Sequence, residues 1–415
     1  MPRFPRFVLW FLVLTLPAVA APKRRAVQHP GALTREHILE TSTRVADRVT
    51  WTFHPRLHWE NAVYFDGLVL LGEQMESRAP GSGARFLDRA AAVILDSDDP
   101  IETVYWGDGT AFAQATLDLY RVLPPSDPRR AALLTKLAGP MSFAEHAIRV
   151  RPADGAPRNP WWIEGGYGAR FWQDDLYMVT PWLALYGASG NELARNLAYE
   201  WIESYVYEHR PESTDAREAA VPSLRSRRGT LLWDAQRGLF HHAPGSSPEF
   251  FWARGNGWAL VALARAAEAL DAPYTGGRYD QVVSSAEMRE MLRIAAQSLI
   301  ARRTPDGGWS SYLAMPDQCP EAETSGTALL TFFLARGVNE GWLDRATYAP
   351  IATRALALLL RRVDAQGVVY GIQPPDVGPG CGKIASDNAI NVNYGPGALL
   401  LAASEVLKFA DEDLR

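Results

Sequence analysis

The stretch Phe251-Trp-Ala-Arg-Gly-Asn-Gly-Trp258 joins a cluster of aromatic, glycine and polar residues to an alanine-rich segment that runs to Leu270. That segment has the composition and the 3.6-residue period of a helix. The cluster stands at the start of the helix. A loop that only connects two helices needs no tryptophan. The arrangement predicts a helix whose first turn lies at a functional surface.

The same arrangement occurs six times, at the start of every second predicted helix. The clusters lie at residues 59–64, 105–109, 171–175, 251–258, 321–326 and 393–397. If the helix pairs close into a ring, the inner helices bring all six clusters to one face. We therefore predict an all-α fold, an (α/α)6 barrel of six helical hairpins. An open solenoid of hairpins has the same local pattern and is the alternative.

The helical period predicts twelve helices between Thr34 and the C-terminus. They are expected at 34–49, 59–77, 83–96, 108–122, 128–149, 174–188, 190–208, 255–270, 284–302, 323–336, 343–363 and 395–410. Strand-like alternation is limited to residues 238–242 and 367–370. Two long loops are predicted. The loop at 151–170 is expected to place Trp161 and Trp162 at the rim of a cleft, and the loop at 209–229 is expected to extend into solvent.

The N-terminus has the pattern of a secretory signal peptide. Arg3 and Arg6 precede the apolar run from Phe7 to Leu16, and small residues follow it. This pattern predicts cleavage after Ala20, which assigns residues 1–20 to the signal peptide, 21–33 to an extension and 34–415 to a single domain. We expect an exported protein, periplasmic or extracellular, that leaves the membrane once the signal is cleaved.

Charge and cysteine content exclude some partners. Removing residues 1–20 changes the formal net charge from −5 to −7, and the basic residues are scattered among acids, so no nucleic-acid partner is expected. Cys319 and Cys381 either form a disulfide, which would stabilise by roughly 4 kcal/mol, or remain free thiols. Metal-ligand spacings are absent from the sequence, so we expect no metal and no cofactor.

Two acidic motifs are candidates for catalysis. In Phe171-Trp-Gln-Asp-Asp-Leu-Tyr-Met178, Asp174 is the candidate general acid, Asp175 a helix cap and Trp172 a platform for a sugar ring. A helix N-terminus lowers the pKa of a carboxyl, so a second carboxylate or an apolar wall must oppose that effect. Asp108 is the candidate second carboxylate. Capping a helix is the alternative role for each aspartate.

The Arg-Gly-Asn-Gly run supplies candidate binding groups. Arg254 offers a planar guanidinium suited to a carboxylate, with a structural ion pair as the alternative. Glycines at 255 and 257 make the start of a helix less stable, so they are expected where the backbone must turn sharply or approach a ligand. Trp252 and Trp258 either stack on a sugar or pack in the core.

Three weaker candidates lie elsewhere in the chain. His242 follows His241 in a strand-like piece, so alternation sends the two rings to opposite sides and at most one faces the cleft. Tyr64 is a candidate for substrate binding and Glu323 for a polar contact, with packing and helix capping as their alternatives.

Taken in order, these motifs resemble the unsaturated glucuronyl and rhamnogalacturonyl hydrolases of glycoside hydrolase families 88 and 105, with family 105 the closer match. The resemblance runs from about Trp59 to Glu405. Its most specific pieces are Trp172–Met178, Gly238–His242, Trp252–Trp258 and Glu323–Ala328. It implies an α/α barrel that removes a terminal 4,5-unsaturated uronyl residue from an oligosaccharide. An acid protonates C4, water adds at C5, and the hemiketal opens and releases the next sugar.

The resemblance also implies roles for the candidate residues. Asp174 matches the acid/base of the family, Asp108 its second aspartate and His242 its histidine. The residues that match its substrate-binding groups are Arg254, Trp172, Trp252 and Trp258. Residues 151–170 depart from the family, with Trp161-Trp-Ile-Glu-Gly-Gly166 where a short histidine-containing run is expected.

Two other functions fit the same residues. A polysaccharide lyase on the same toroid would use a base and a charge neutraliser drawn from Tyr64, His242, Asn256 and Arg254. An exported sugar-binding protein without catalysis would need no acid at all.

Overall fold

The computed structural model describes residues 33–48, 58–96, 107–149, 172–209, 227–243, 250–276, 282–375 and 392–414. Residues 33–415 belong to one compact unit. The predicted signal peptide and the Trp161-Trp162 segment lie outside the described residues. Within the described ranges, no helix is both long and apolar enough to cross a membrane.

Helices make up most of the described chain. They are α1 (Arg35–Asp47), α2 (Trp59–Arg78), α3 (Ala84–Asp96), α4 (Phe112–Val122), α5 (Arg129–Thr135), α6 (Ala138–Arg149), α7 (Asp174–Ala188), α8 (Glu192–Val206), α9 (Ala253–Ala269), α10 (Ser285–Ile300), α11 (Thr324–Asn339), α12 (Arg345–Leu360) and α13 (Tyr394–Val406). Two antiparallel pairs join β1 (Tyr207–His209) to β2 (Arg227–Thr230) and β3 (Trp233–Asp234) to β4 (Leu239–Phe240). Short 3₁₀ helices cover Gly107–Thr110 and Asp411–Leu414.

Six helices contact one another in a closed circuit. Helix α2 packs on α4, α4 on α7, α7 on α9, α9 on α11, α11 on α13, and α13 returns to α2. Each of the six begins at or just after one of the aromatic and polar clusters in the sequence. The predicted all-α fold is confirmed, and the closed circuit is what a barrel requires and an open solenoid lacks.

Burial separates inner helices from outer ones. In α9 every residue from Ala253 to Ala267 is buried, as expected for a helix enclosed on all sides. In α10, which packs on α9, burial is confined to one stripe. That stripe consists of Met288, Met291, Leu292, Ala295, Ala296 and Leu299. The inner helix α9 and its outer neighbour α10 therefore differ in their patterns of buried residues.

Glycines close the circuit between α2 and α13. A Cβ at Gly67 would lie 2.5 Å from the carbonyl oxygen of Gly397, and a Cβ at Gly397 would lie 2.5 Å from the amide nitrogen of Tyr64. The two backbones are thus in direct contact, which no larger residue at either position would allow. The side-chain amide of Asn393 adds a hydrogen bond of 2.6 Å to Asn61.

Two predicted segments differ in the structure. The single helix expected at 128–149 is two helices, α5 and α6, because Pro140 has no N–H to continue the first and fits the opening turn of the second. The excursion expected at 209–229 is bounded by the β1–β2 pair, whose strands have no strong alternation in sequence.

The remaining local predictions agree better with the structure. Strand β4 lies within the predicted 238–242 stretch, and the 367–370 stretch forms a single bridge between Val363 and Val369. Cys319 is disulfide-bonded, and Cys381, the only other cysteine of the sequence, lies outside the described residues.

Candidate active site

Asp174 and His242 face each other at the start of α7. The Oδ2 atom of Asp174 lies 3.6 Å from Nδ1 of His242, and their side chains are 18% and 22% exposed. This distance is too long for a hydrogen bond, and neither atom has another hydrogen-bond partner among the described residues. The pair therefore has hydrogen-bonding capacity available to a third molecule.

Burial dominates the electrostatics of Asp174. It raises the pKa of the Asp174 carboxyl, while the charges of His242 and Arg254 oppose the rise. The free amides at the start of α7 also favour the anion. Because the net pKa shift is upward, Asp174 keeps more of its proton near neutral pH than an exposed aspartate does, as a general acid must.

Asp108 lies within electrostatic reach of Asp174. It belongs to the 3₁₀ helix that leads into α4, and the Thr110 hydroxyl attaches this turn to α7 by donating to the Met178 carbonyl at 3.0 Å. Burial and then the charge of Asp174 raise the pKa of Asp108 to about 7. The structure thus brings the two aspartates together, while their catalytic roles remain predictions.

Aromatic rings surround His242. The Trp172 ring stacks on His242 with centroids 5.7 Å apart, and Trp252 presents its edge at 5.4 Å. The half-buried Trp172 offers a ring surface beside the acid, whereas Trp252 is nearly buried and donates its indole N–H to Gln373 at 2.8 Å. His241 lies against Asp234 and Phe251 instead, so the two histidines have separate surroundings.

Arg254 is buried and donates hydrogen bonds to backbone carbonyls. Its guanidinium donates to the carbonyl oxygens of Gln373, Pro374 and Pro375 at 2.7 to 3.1 Å, and it lies 4.3 Å from the Trp252 ring centroid. In the described part of the chain Arg254 forms no ion pair with an acidic side chain, so the structural alternative is not found there, and a contact to a substrate carboxylate remains a prediction. Its observed contacts hold the segment 373–375, and its charge reaches Asp174.

Tyr64 and Trp258 lie in the core. The Tyr64 side chain is fully buried and its hydroxyl donates to the Ala46 carbonyl at 2.6 Å. Trp258 is 1% exposed and packs on Tyr177 with centroids 4.6 Å apart. Packing, the alternative considered for both residues, accounts for these contacts, and a direct substrate contact remains a prediction without structural support.

The glycines of the Arg-Gly-Asn-Gly run serve helix packing. A Cβ at Gly255 would collide with the side-chain amide of Gln173, and one at Gly257 would lie 2.6 Å from Cβ of Leu329 on α11. Asn256 is also buried and bonds to the Phe240 and Trp252 backbones. Close approach of protein groups, and not of a ligand, therefore explains these residues.

Asp175 has a different role from the cap predicted for it. Gln173 occupies the N-cap position of α7, and the Asp175 carboxyl accepts a hydrogen bond from the Tyr205 hydroxyl at 2.9 Å. Tyr205 lies on the outer helix α8, where its spacing in sequence is that of an ordinary core residue. No local signal identified this contact.

Gln373 is a second residue that the sequence did not indicate. Besides its bonds to Trp252 and Arg254, its amide N–H donates to Glu323 at 2.9 Å. Glu323 accepts from the Ser325 and Gly326 amides and so caps α11, the alternative considered for it. Stretch 371–375 has the sequence of an ordinary loop, because Glu323, Arg254 and Trp252 lie 50 to 121 positions from Gln373.

A metal site is not apparent in the described ranges, where no group of three or more histidine, cysteine or acidic side chains could hold an ion. The side chains that the structure describes at the site are carboxyl groups, an imidazole and aromatic rings.

Residues 36–410 match the family model of Glycosyl Hydrolase Family 88. The chain belongs to glycosyl hydrolase family 88. Among curated relatives of this family 88 protein are two unsaturated 3S-rhamnoglycuronyl hydrolases. That of Formosa agariphila is 28% identical over 251 residues, which cover 60% of this chain and 59% of the relative. That of Alteromonas sp. strain LOR is 34% identical over 157 residues, which cover 38% and 35%.

Solved structures share the fold. A family 88 hydrolase from Bacteroides vulgatus superposes with a TM-score of 0.64 at 24% identity, covering 91% of this chain and 100% of that one. A polysaccharide lyase gives 0.63 at 24% identity, covering 90% and 97%. A possible family 105 member from Salmonella enterica gives 0.62 at 16% identity, covering 95% and 99%. The resemblance to these hydrolases inferred from sequence is confirmed, and the fold is common to families 88 and 105.

Proposed function

We propose that this family 88 protein removes a terminal 4,5-unsaturated uronyl residue from lyase-generated oligosaccharides by hydrating the C4=C5 double bond. The observation that carries the proposal is the Asp174–His242 pair, a buried acid with an unused hydrogen-bonding position beside the stacked ring of Trp172. The aligned parts cover less than two thirds of the two curated relatives. The activity for which these relatives are named therefore supports the proposal without deciding it.

In the proposed reaction Asp174 donates its proton to C4, and positive charge develops at C5 and the ring oxygen. Water adds at C5 and returns a proton to the Asp174 carboxylate, which restores the acid. The resulting hemiketal opens and expels the next sugar, so no bond forms between protein and sugar. His242 orients Asp174, Asp108 tunes its proton affinity, and Trp172 supports the sugar ring.

The first substrates to test are unsaturated uronates linked to rhamnose, because both curated relatives are named for such linkages. The panel should contain lyase-generated disaccharides from ulvan, pectin and glycosaminoglycan. The expected result is loss of the ultraviolet absorbance of the C4=C5 bond on at least one of them. A rise in this absorbance on intact polysaccharide would instead identify a lyase, and binding without any change would identify a sugar-binding protein.

We also propose that the protein is exported after cleavage of residues 1–20. The support is the sequence pattern of Arg3, Arg6 and the following apolar run. N-terminal sequencing of protein recovered outside the cytoplasm should begin at Ala21. Recovery of full-length protein in the cytoplasm would contradict export.

A further inference from the structure

Asp175 points away from the catalytic pair. Asp174 faces His242, whereas the next carboxyl on the helix faces α8, where the Tyr205 hydroxyl donates to its Oδ2 at 2.9 Å. Tyr205 is 1% exposed and Asp175 is half-buried, so this bond is partly buried between an inner and an outer helix. Among the described residues no cation lies against Asp175, and the hydrogen bond to its carboxyl comes from the Tyr205 hydroxyl.

The backbone of Asp175 also bonds to Trp172, because the Asp175 amide donates to the Trp172 carbonyl at 3.1 Å. Asp175 therefore holds the residue three positions before it, and the turn between them carries both the aromatic platform and the acid. On the other side of this turn, the Gln173 amide donates to the His242 carbonyl at 3.0 Å. The turn is thus fixed at two points, by His242 and by the Asp175–Tyr205 pair.

The bond from Tyr205 requires an acceptor oxygen at position 175. Burial raises the pKa of Asp175 well above its ordinary value, and the charges of Asp108 and Asp174 raise it further. The side-chain oxygen of an asparagine can accept from the Tyr205 hydroxyl as a carboxyl oxygen does. An asparagine can therefore replace Asp175 in this role, and an alanine cannot.

We propose that Asp175 and Tyr205 are positioning residues, which hold the turn that presents Trp172 and Asp174 to the substrate. The proposal rests on the proposed function for its kinetic readout. A displacement of reacting groups by about 1 Å lowers the reaction rate by up to about a hundredfold. Loss of one of the two contacts that fix the turn is therefore expected to lower kcat by less than that.

The kinetic test compares four variants on the best unsaturated disaccharide. Asp175→Ala and Tyr205→Phe are expected to lower kcat by about tenfold, whereas Asp175→Asn stays within about threefold of wild type. Tyr199→Phe is the matched control, because Tyr199 also lies on α8 and donates its buried hydroxyl to the Leu270 and Ala272 carbonyls, away from the site. It should lower the melting temperature about as much as Tyr205→Phe and leave kcat unchanged.

Amide hydrogen exchange provides a readout independent of activity. In Tyr205→Phe, exchange in a peptide covering residues 172–177 should be faster than in wild type, and Tyr199→Phe should leave it unchanged. Asp175→Asn as inactive as Asp175→Ala, or Tyr205→Phe with wild-type kcat and exchange, would overturn the proposal. If wild-type protein turned over no unsaturated disaccharide, the proposed function would fail, and the exchange result would still decide whether the pair holds the turn.

Discussion

At Asp174 two opposing effects act on one carboxyl. The free amides of the first turn of α7 favour its anion, and burial favours its neutral form. Burial prevails, and the charges of His242 and Arg254 reduce the shift without reversing it. The raised pKa of Asp174 is the property that its proposed role as proton donor requires.

Replacing Asp174 with asparagine should remove the proton and preserve the shape of the site. We expect turnover to fall by about 10² to 10⁴-fold while affinity for the unsaturated disaccharide changes little. Loss of ultraviolet absorbance measures the first and isothermal calorimetry the second. Asp344→Asn, at the exposed cap of α12, is the control and should retain full activity. Near-normal turnover in Asp174→Asn would refute this assignment.

Asp108 should make stability depend on pH. Its pKa is raised from 3.8 to about 7 in the folded protein, so the folded state favours the protonated form. The stabilisation from this group is complete below about pH 4 and is lost as the pH rises to about 7. Asp108→Asn should therefore gain stability over wild type across this range, by on the order of 2 kcal/mol at pH 8, with allowance for its partial exposure. Urea unfolding at pH 4, 6 and 8 measures the difference, and a pH-independent difference would contradict it.

The residue types of the site were predictable, and some of their partners were not. Asp174, Asp108 and His242 stand in short motifs whose chemistry can be inferred locally. Arg254 bonds to carbonyls 119 to 121 positions away, and Asp175 bonds to a tyrosine 30 positions away. Contacts at such separations depend on how helices pack, which a local pattern does not contain.

At the scale of elements, glycines set how closely helices approach. The sequence correctly marked Gly255 and Gly257 as positions of close approach, but the approaching groups are Gln173 and α11 rather than a ligand. The apolar pattern predicted the bounds of α7 correctly, because the helix expected at 174–188 is observed at Asp174–Ala188. The division of α5 from α6 had a signal in Pro140 that the periodicity obscured.

A methyl group at position 257 should test this packing. Alanine normally stabilises a helix relative to glycine, but here its Cβ would lie 2.6 Å from Leu329. Gly257→Ala is expected to lower the free energy of unfolding by about 1–3 kcal/mol, as overpacking does. Gly72→Ala is the control, because its Cβ would meet the flexible end of Leu87 at 3.0 Å and the Gly83 carbonyl oxygen at an ordinary contact distance of 3.4 Å. Equal stability of the two variants in urea would contradict this account.

At the scale of the whole molecule, buried charges connect four inner helices. Arg265 on α9 donates to Asp66 on α2 and to Asp118 on α4, at 2.8 to 3.1 Å. The Tyr177 hydroxyl on α7 donates to Asp66 at 2.9 Å. All three charged side chains are at most 8% exposed, so each depends on the others for its solvation.

Removing the cation from this network should be costly. Arg265→Met leaves Asp66 buried without a counter-charge and Asp118 with only the more distant Arg121, at 3.8 Å, so we expect a loss of about 3–5 kcal/mol in the free energy of unfolding. Arg345→Met, which breaks an exposed ion pair with Asp413, should cost less than about 1 kcal/mol. Chemical denaturation at neutral pH compares the two, and similar losses would show that the network contributes no more than a surface pair.

The contact of α13 with α2 determines when the fold can be completed. Asn61 and Asn393 bond across 332 positions of the chain, and the Gly67–Gly397 contact spans nearly the same distance. During synthesis α2 emerges before α13, and its surface for α13 stays uncovered until more than 300 further residues have left the ribosome. A nascent chain stalled before residue 394 is therefore an incomplete ring with two apolar edges, exposed to aggregation and to proteases throughout that interval.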